Sequence, residues 1–436
     1  MIFTTEGTCM LTDIEATEFD ALLTADSLSA LMRSTWTWDD RALRRDLSML
    51  LVALDAATAL DRHDVTYEPI AKAVRAQAHV LASEFVANVL GPRLIADIGN
   101  PLRAHYLSLA TDPARFARTA TAARTDIAAS AGDHLAAQVG GVEYAPEATW
   151  SKLLADKAVE GLNIAMRAYG YTLADSAFFA SKALAWQAVT SVPRCDAAAE
   201  YARAIVSDDI TATLAAAEET GSWDPALVRT RATKSDDGWV LDGNKNYVPA
   251  ADAADVIFVI ARSIAGPSLF AVARSATGLA INNHPTTDAT RHLDNVTFTD
   301  TPATLLGIEG AGGRLMSQLI DKVTTALAAE QVGLIEAAIN TVRIAQPIND
   351  ALATTLAVEH AVALAMWARA VAENSPESAA AAHIACSAAA VRVTVAVAEI
   401  AGSETTNALV QRALSGSLLF GGPALSYERL LDRLGI

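Results

Sequence analysis

The chain has 436 residues, 52% of them apolar and 19% charged, which is enough to bury more than one core and excludes a disordered chain. Its 33 basic and 50 acidic side chains leave a formal charge of -17, which argues against nucleic acid or an anionic membrane surface as a partner. Cys9, Cys195 and Cys386 fit no disulfide or metal spacing and suit a reducing cytoplasm; no apolar run approaches the roughly 20 residues of a membrane span, and no basic region marks a signal peptide.

Residues 1–206 read as helical. Ile14–Ser34 carries Phe19, Leu22, Leu23, Leu28 and Leu31 near a 3.6-residue period. Asp39 or Asp40 caps a helix running to about Leu60, and Glu68-Pro69 opens another that stops near Gly91-Pro92. Asp112-Pro113 opens one more, and Gly140-Gly141 with Pro146 marks a loop. From Leu227 the text changes to short β-runs: Leu227–Thr233, Trp239–Leu241, Tyr247-Val248, Val256–Ala261, Ser268–Val272 and Asn295–Thr299. Asp236-Asp237-Gly238 and Asp242-Gly243-Asn244 between them are hairpin signals. After the glycine-rich loop Gly307–Gly313, residues 314–434 read as four or five helices. No histidine pattern suggests a metal site, and Gly310-x-Gly312-Gly313 lacks the strand and Lys-Ser/Thr of a phosphate loop.

Several of these segments occur in the order of the acyl-CoA dehydrogenase family. Ala217-Glu218, Gly221-Ser222 with Asp224, Leu241-Asp242-Gly243-Asn244-Lys245 and Tyr247-Val248-Pro249 resemble the parts of its middle domain that line flavin and acyl-CoA. Asp288-x-Thr290-Arg291 before a Val-x-Phe strand, the helix text AAEQVGLIEAAIN, and Gln346-Pro347-Ile348 continue the similarity. The resemblance covers roughly the last two thirds of the chain, and residues 1–140 share little beyond being helical. It implies an α+β, acyl-CoA dehydrogenase-like fold. The parts would be an N-terminal helical domain (1–206), a central β-barrel or sandwich (207–306) and a C-terminal four-helix bundle (307–436). Helical faces of such bundles pack between subunits, which implies a homodimer, a homotetramer or a hetero-oligomer with a homologous chain.

The activity implied is α,β-dehydrogenation of an acyl thioester, carried on CoA or a carrier protein, with FAD taking the hydride and a carboxylate taking the α-proton. Matching Arg412 to the family's arginine beyond the base makes Glu404 the base; an ungapped register puts Ala408 there. Equally, Glu404 reads as a first-turn acid on a helix. Val323 occupies the alternative base position, and Glu330, two turns on, reads as a bundle residue with a partner. Flavin-side positions fall on Glu218, Tyr247, Pro249 (where a hydroxyl residue is usual) and Arg343, displaced by two from the diphosphate arginine. Ser222 and Arg291 fall where the substrate is held, as a turn serine and a guanidinium suited to phosphate or to an ion pair with Asp288. Two alternatives follow from the missing groups: a non-catalytic partner subunit of a heteromeric dehydrogenase, or the same fold running flavin-independent chemistry.

Overall fold

The computed structural model describes residues 22–63, 67–111, 113–139, 142–236, 238–345 and 348–436. The readings on Cys9, Ile14, Phe19, Asp112, Gly140-Gly141, Asp237 and Gln346-Pro347 lie outside the described residues. The chain divides into two compact units: residues 22–134, 349–366 and 426–436, and residues 135–348 and 367–425.

The first unit is helical: α1 (Ala25–Ser34), α2 (Arg41–His63), α3 (Glu68–Leu90), α4 (Arg93–Ala96), α5 (Pro101–Thr111) and α6 (Pro113–Ala128). Thr24 caps α1 by accepting from Ser27 N at 3.1 Å, and Asp40 caps α2 by accepting from Ala42 N at 2.8 Å. Helix α3 ends where Gly91 turns to φ 52°, a conformation glycine takes without a Cβ penalty. Leu28, Leu31, Met32, Leu47, Phe85, Val89, Leu109 and Phe116 form its core, joined by Leu431 from the C-terminal helix. That last helix is fastened by Arg44–Glu428 at 2.6 Å and by Ser48 Oγ donating to Tyr427 O at 3.1 Å.

Helix α7 (Ala131–Val139) leads into the second unit. Helix α8 (Trp150–Tyr171), kinked at Ala158, is followed by a π-helix (Phe179–Trp186), then α9 (Gln187–Thr190) and α10 (Asp196–Val206). The π-helix had no signature in the sequence reading; such segments are rare and often sit at functional sites.

Seven strands make one mixed sheet: β1 (Ala212–Ala215), β2 (Arg231–Ser235), β3 (Gly238–Pro249), β4 (Val256–Ser263), β5 (Gly266–Ala273), β6 (Leu279–His284) and β7 (Leu293–Leu306). Pairings run β1-β4-β2-β3-β7-β5, with β6 on β7 and β5 also on β4. Only Arg231 opposite Arg262 links β2 to β4. Strand β4 is buried on both faces, which is why it reads as a continuous apolar run. Phe258 and Ile260 face a core shared with the helices, while Ile257 and Val259 face one within the sheet.

The expected turn at Asp242-Gly243 is a bulge, not a turn. Strand β3 runs straight through it, with a register shift between Leu241 and Gly243. A Cβ on Gly243 would lie 2.8 Å from Thr230 Cα, so the glycine answers a close strand approach. The hairpin is the earlier one, pairing Ser235 with Gly238. Strand β6 was not anticipated, because LAINNH lacks the β-branched density of its neighbours.

Five helices follow: α11 (Gly312–Ala345), α12 (Asp350–Glu373), α13 (Pro376–Ala401), α14 (Glu404–Leu418) and α15 (Gly422–Leu434). By length and composition α12 and α13 could each cross a membrane; at least half of each apolar window is buried inside the protein. Helix α11 crosses α8 at unusually close range. A Cβ on Gly333 would fall 2.0 Å from Arg167 O, and one on Gly170 2.1 Å from Glu330 O. Gly333→Ala should therefore destabilise the protein by about 1–3 kcal/mol, the range for overpacking. Urea unfolding checks this, and an unchanged midpoint would show that the crossing can open.

Candidate functional site

The second unit holds a buried ionic cluster. Glu330, on α11, is fully buried between two guanidiniums. Arg291 Nη2 donates to both its oxygens, at 2.7 and 2.9 Å, and Arg412 Nε donates to Oε1. Arg412 Nη1 also donates to Thr290 Oγ1 at 2.7 Å, while Asp288 accepts from Thr290 Oγ1 at 2.6 Å and Ser415 Oγ at 2.5 Å. The two arginines lie over aromatic rings, Arg291 4.5 Å from the Phe179 centroid and Arg412 4.6 Å from Tyr169. Burial pushes the Glu330 carboxyl up, but the arginines outweigh it and hold it below the ordinary range. Arg291 was expected to hold a substrate anion or to pair with Asp288. It is 4% exposed, its Asp288 contact is 3.9 Å, and its near partner is Glu330.

The β-domain has a cavity of about 490 Å³, lined among others by Glu218, Thr220, Arg229, Asn244 and Asn246. Glu218 does not present a free carboxylate to it. Its oxygens accept from Arg229 N, Thr230 N, Thr230 Oγ1 and Lys245 Nζ, the last at 2.9 Å. Lys245 is fully buried, and desolvation pulls its ammonium down to about 8 against the opposing pull of Glu218. Burial alone would raise Glu218, yet Lys245 and the Thr230 amide bring it below the usual carboxylate range.

Tyr247 stands at the bulge between Lys245 and Val248, with φ 56°. Its ring is 37% exposed, edge-on to His284 at 4.9 Å, with the hydroxyl 3.4 Å from Glu219 O. Pro249 is buried, and its carbonyl accepts from Thr213 Oγ1 at 2.5 Å. Ser222 Oγ accepts from Asp224 N at 3.1 Å, a turn bond that needs no ligand. Arg343, near the end of α11, has a buried Nε with no hydrogen-bond partner. Val323 is fully buried.

Glu404 is exposed in the first turn of α14. The segment before it is a two-residue link. Gly402 ends α13 at φ 56°, and Ser403 opens α14 in a capping box with Thr406. Glu404 thus occupies the place where the helix dipole favours an acid. Its side chain is exposed at the surface and is not enclosed in a cavity with the other candidate residues.

A second cavity, about 160 Å³, is lined by residues of the loop after α8, the start of the π-helix, the end of β3 and the segment Thr290–His292. There His292 Nε2 stands 3.0 Å from the carboxylate of Asp175. These two residues are 117 positions apart, and no local pattern in the sequence joins them. Among the described residues no cluster of His, Cys, Asp and Glu is arranged to hold a metal ion.

FAD is the group the fold implies. Two features fit it: the partly exposed Tyr247 ring, next in the chain to Asn246 of the larger cavity's lining and suited to stacking, and the buried Arg343 Nε without a hydrogen-bond partner, a guanidinium donor suited to a diphosphate. Glu218 lines the larger cavity with its oxygens already partnered, and Pro249 lines the smaller one.

Residues 213–301 match the family model for the acyl-CoA dehydrogenase middle domain. Among solved structures, the chain resembles butyryl-CoA dehydrogenase from Megasphaera elsdenii, with TM-score 0.59, 17% identity, 72% of this chain and 98% of that one. It resembles an acyl-CoA dehydrogenase from Geobacillus kaustophilus with TM-score 0.60, 14% identity, and 72% and 97% covered. A chain of the ChsE4-ChsE5 complex from Mycobacterium tuberculosis gives TM-score 0.53, 19% identity, and 72% and 96% covered. No curated protein matches the sequence. The class is thus the acyl-CoA dehydrogenase fold, α+β, with that family's middle domain at its centre. The likeness to the solved structures is one of fold, and the family's own model covers the middle domain, residues 213–301.

Glu330→Gln removes the charge between Arg291 and Arg412 and should cost about 3–5 kcal/mol of stability in urea unfolding at neutral pH. The acid side gives a second check. Glu330 and Asp288 have folded values below their unfolded ones, so their stabilisation is complete above the unfolded range of about 4 and is lost as pH falls through the folded values. The wild type should lose stability on acidification more steeply than Glu330→Gln. Parallel curves would mean that Glu330 is not charged in the fold.

Proposed function

We propose that the chain is a flavin-dependent, acyl-CoA dehydrogenase-like oxidoreductase that α,β-dehydrogenates an acyl thioester. The observation carrying this reading is the middle domain at 213–301, with a cavity lined by Glu218, Asn244 and Asn246 among the segments that line flavin and substrate in the resemblance. Tyr247 and Arg343 would hold the flavin, whose chemistry when bound is acceptance of a hydride from the β-carbon. The chain's own part is to place the thioester against that ring, exclude water and move the α-proton. Among the described residues Cys195 and Cys386 form no disulfide, which supports a reducing, cytoplasmic setting within this reading. Assembly into a homo- or hetero-oligomer belongs to the same proposal.

A second reading is favoured by the carboxylates. Glu330 is neutralised by two arginines, Glu404 is exposed, and Val323 offers no proton acceptor. On that reading the chain is the non-catalytic subunit of a heteromeric dehydrogenase, with a homologous chain supplying the base. Two structures that share this fold carry two-component names, the ChsE4-ChsE5 complex and the Tcur3481-Tcur3483 steroid ACAD.

The purified protein should show visible flavin absorbance, reduced in Tyr247→Ala and in Arg343→Ala. A colourless protein that gains flavin only when co-expressed with a homologous chain would select the second reading. With an active preparation, Glu404→Gln should leave turnover within a few-fold of wild type. A loss on the order of 10²–10⁴-fold would instead make Glu404 the base.

A further inference from the structure

We propose that His292 is the group that takes the α-proton of the thioester, with Asp175 as its positioning residue. This rests on the acyl thioester reading above and names the base that Glu404, Glu330 and Val323 do not provide. The geometry comes first. His292 Nε2 lies 3.0 and 3.3 Å from the two carboxylate oxygens of Asp175. A ring protonated at Nε2 donates to that carboxylate and leaves Nδ1 bare, ready to accept. Both residues line the smaller cavity, about 160 Å³, together with Tyr169, Phe179, Pro249 and Ala250. That is below the usual 300–1,000 Å³ or so of a whole-ligand site, and suits the reacting end of a short acyl chain.

The backbone under His292 is held from every side. Its carbonyl accepts from Ala250 N at 3.0 Å. The residue before it, Arg291, is bound to Glu330, and Thr290 receives two bonds from Arg412. A catalytic group needs a rigid support of this kind. The opposite wall carries further marks of a built site. Ala250 is held at φ 46°, a strained conformation for alanine, and Phe179 begins the π-helix. The charged groups around the ring are Asp175, Asp252 and Asp294 on one side and Arg291 on the other.

The step is a proton transfer and balances without any co-reactant. The C–H bond α to the thioester carbonyl breaks, an N–H bond forms at His292 Nδ1, and the electron pair moves onto the carbonyl oxygen as an enolate. Exchange of the α-proton with solvent reports this step independently of any oxidation.

The test is α-deuterium incorporation into butyryl-CoA in heavy water, followed by mass spectrometry, with binding of butyryl-CoA measured by titration calorimetry. Wild type should bind and exchange. His292→Gln should bind with similar affinity and exchange at least about 10²-fold more slowly. Asp175→Glu should retain more exchange than Asp175→Ala at equal affinity, which a merely structural role for Asp175 would not produce. Both residues are about half exposed, so the variants should melt like wild type. Wild-type exchange in butyryl-CoA-bound His292→Gln, or a wild type that binds without exchanging, overturns the role of His292 and leaves the thioester reading standing. A wild type that binds no butyryl-CoA overturns that reading, and the proposal falls with it.

Discussion

One carboxylate organises the second unit. Glu330 lies midway along α11, with no water to share its charge, and two arginines from distant parts of the chain converge on it. Arg291 comes from the segment leading into β7 and Arg412 from α14, so a single anion ties the sheet to two helices of the C-terminal set. Buried charges are expensive when alone and tolerable only when the geometry is good and the remaining donors are satisfied. Here Thr290 takes donors of Arg412 and an aromatic face covers each guanidinium, while Arg291 Nε and Nη1 are buried without a hydrogen-bond partner. An apolar trio of equal volume would pack as well. What the ions add is register, because each bond has a direction and Arg412 reaches both Glu330 and Thr290 only in one relative placement of α11 and α14.

Close helix packing cooperates with this. Gly170 and Gly333 let α8 and α11 approach until a methyl group would meet carbonyl oxygen. Glu336, one turn beyond Gly333, accepts from Tyr144 at 2.5 Å and from Arg167 Nε at 2.8 Å. The α8–α11 crossing is thus fixed by contact at the glycines and by charge on either side of them. The same crossing presents Tyr169 to Arg412 and sets the loop after Tyr171 against the end of β3, where the small cavity lies.

How much of this could be read in advance depended on whether the signal was local. Caps and stops at Asp40, Glu68-Pro69 and Gly91 were visible because each is chemistry between near neighbours. The β4 run was visible because burial on both faces leaves no polar alternation. The middle domain was recognisable because its turns keep a characteristic order. The Asp242-Gly243 turn was misread for a physical reason: glycine is needed equally for a turn and for a bulge under a crossing strand, and only Thr230 decides between them. The partners of Arg291 and Arg412, and the pairing of His292 with Asp175, were invisible because they join residues at least 39 positions apart. The π-helix also left no trace, since its composition is that of any apolar helix.

The carboxylates of this chain separate into structural and exposed ones, and that division bears on chemistry. A carboxyl that is to abstract a proton from carbon must be partly desolvated yet uncompensated, so that its proton affinity is high. Glu330 and Glu218 are desolvated but compensated by arginine or lysine, which lowers that affinity, and Glu336 is bound to Arg167. Glu404 is uncompensated but solvated. None of these four meets both conditions; Asp294, which burial does raise, is occupied in accepting from Asp252 N at 3.0 Å. An imidazole escapes the dilemma, because its neutral form is the base and burial does not drive that form toward protonation. A neighbouring carboxylate then supplies the compensation only after the proton has moved. In a protein whose acids are committed to holding its helices and sheet together, a histidine on a pinned loop is the arrangement that leaves proton affinity available.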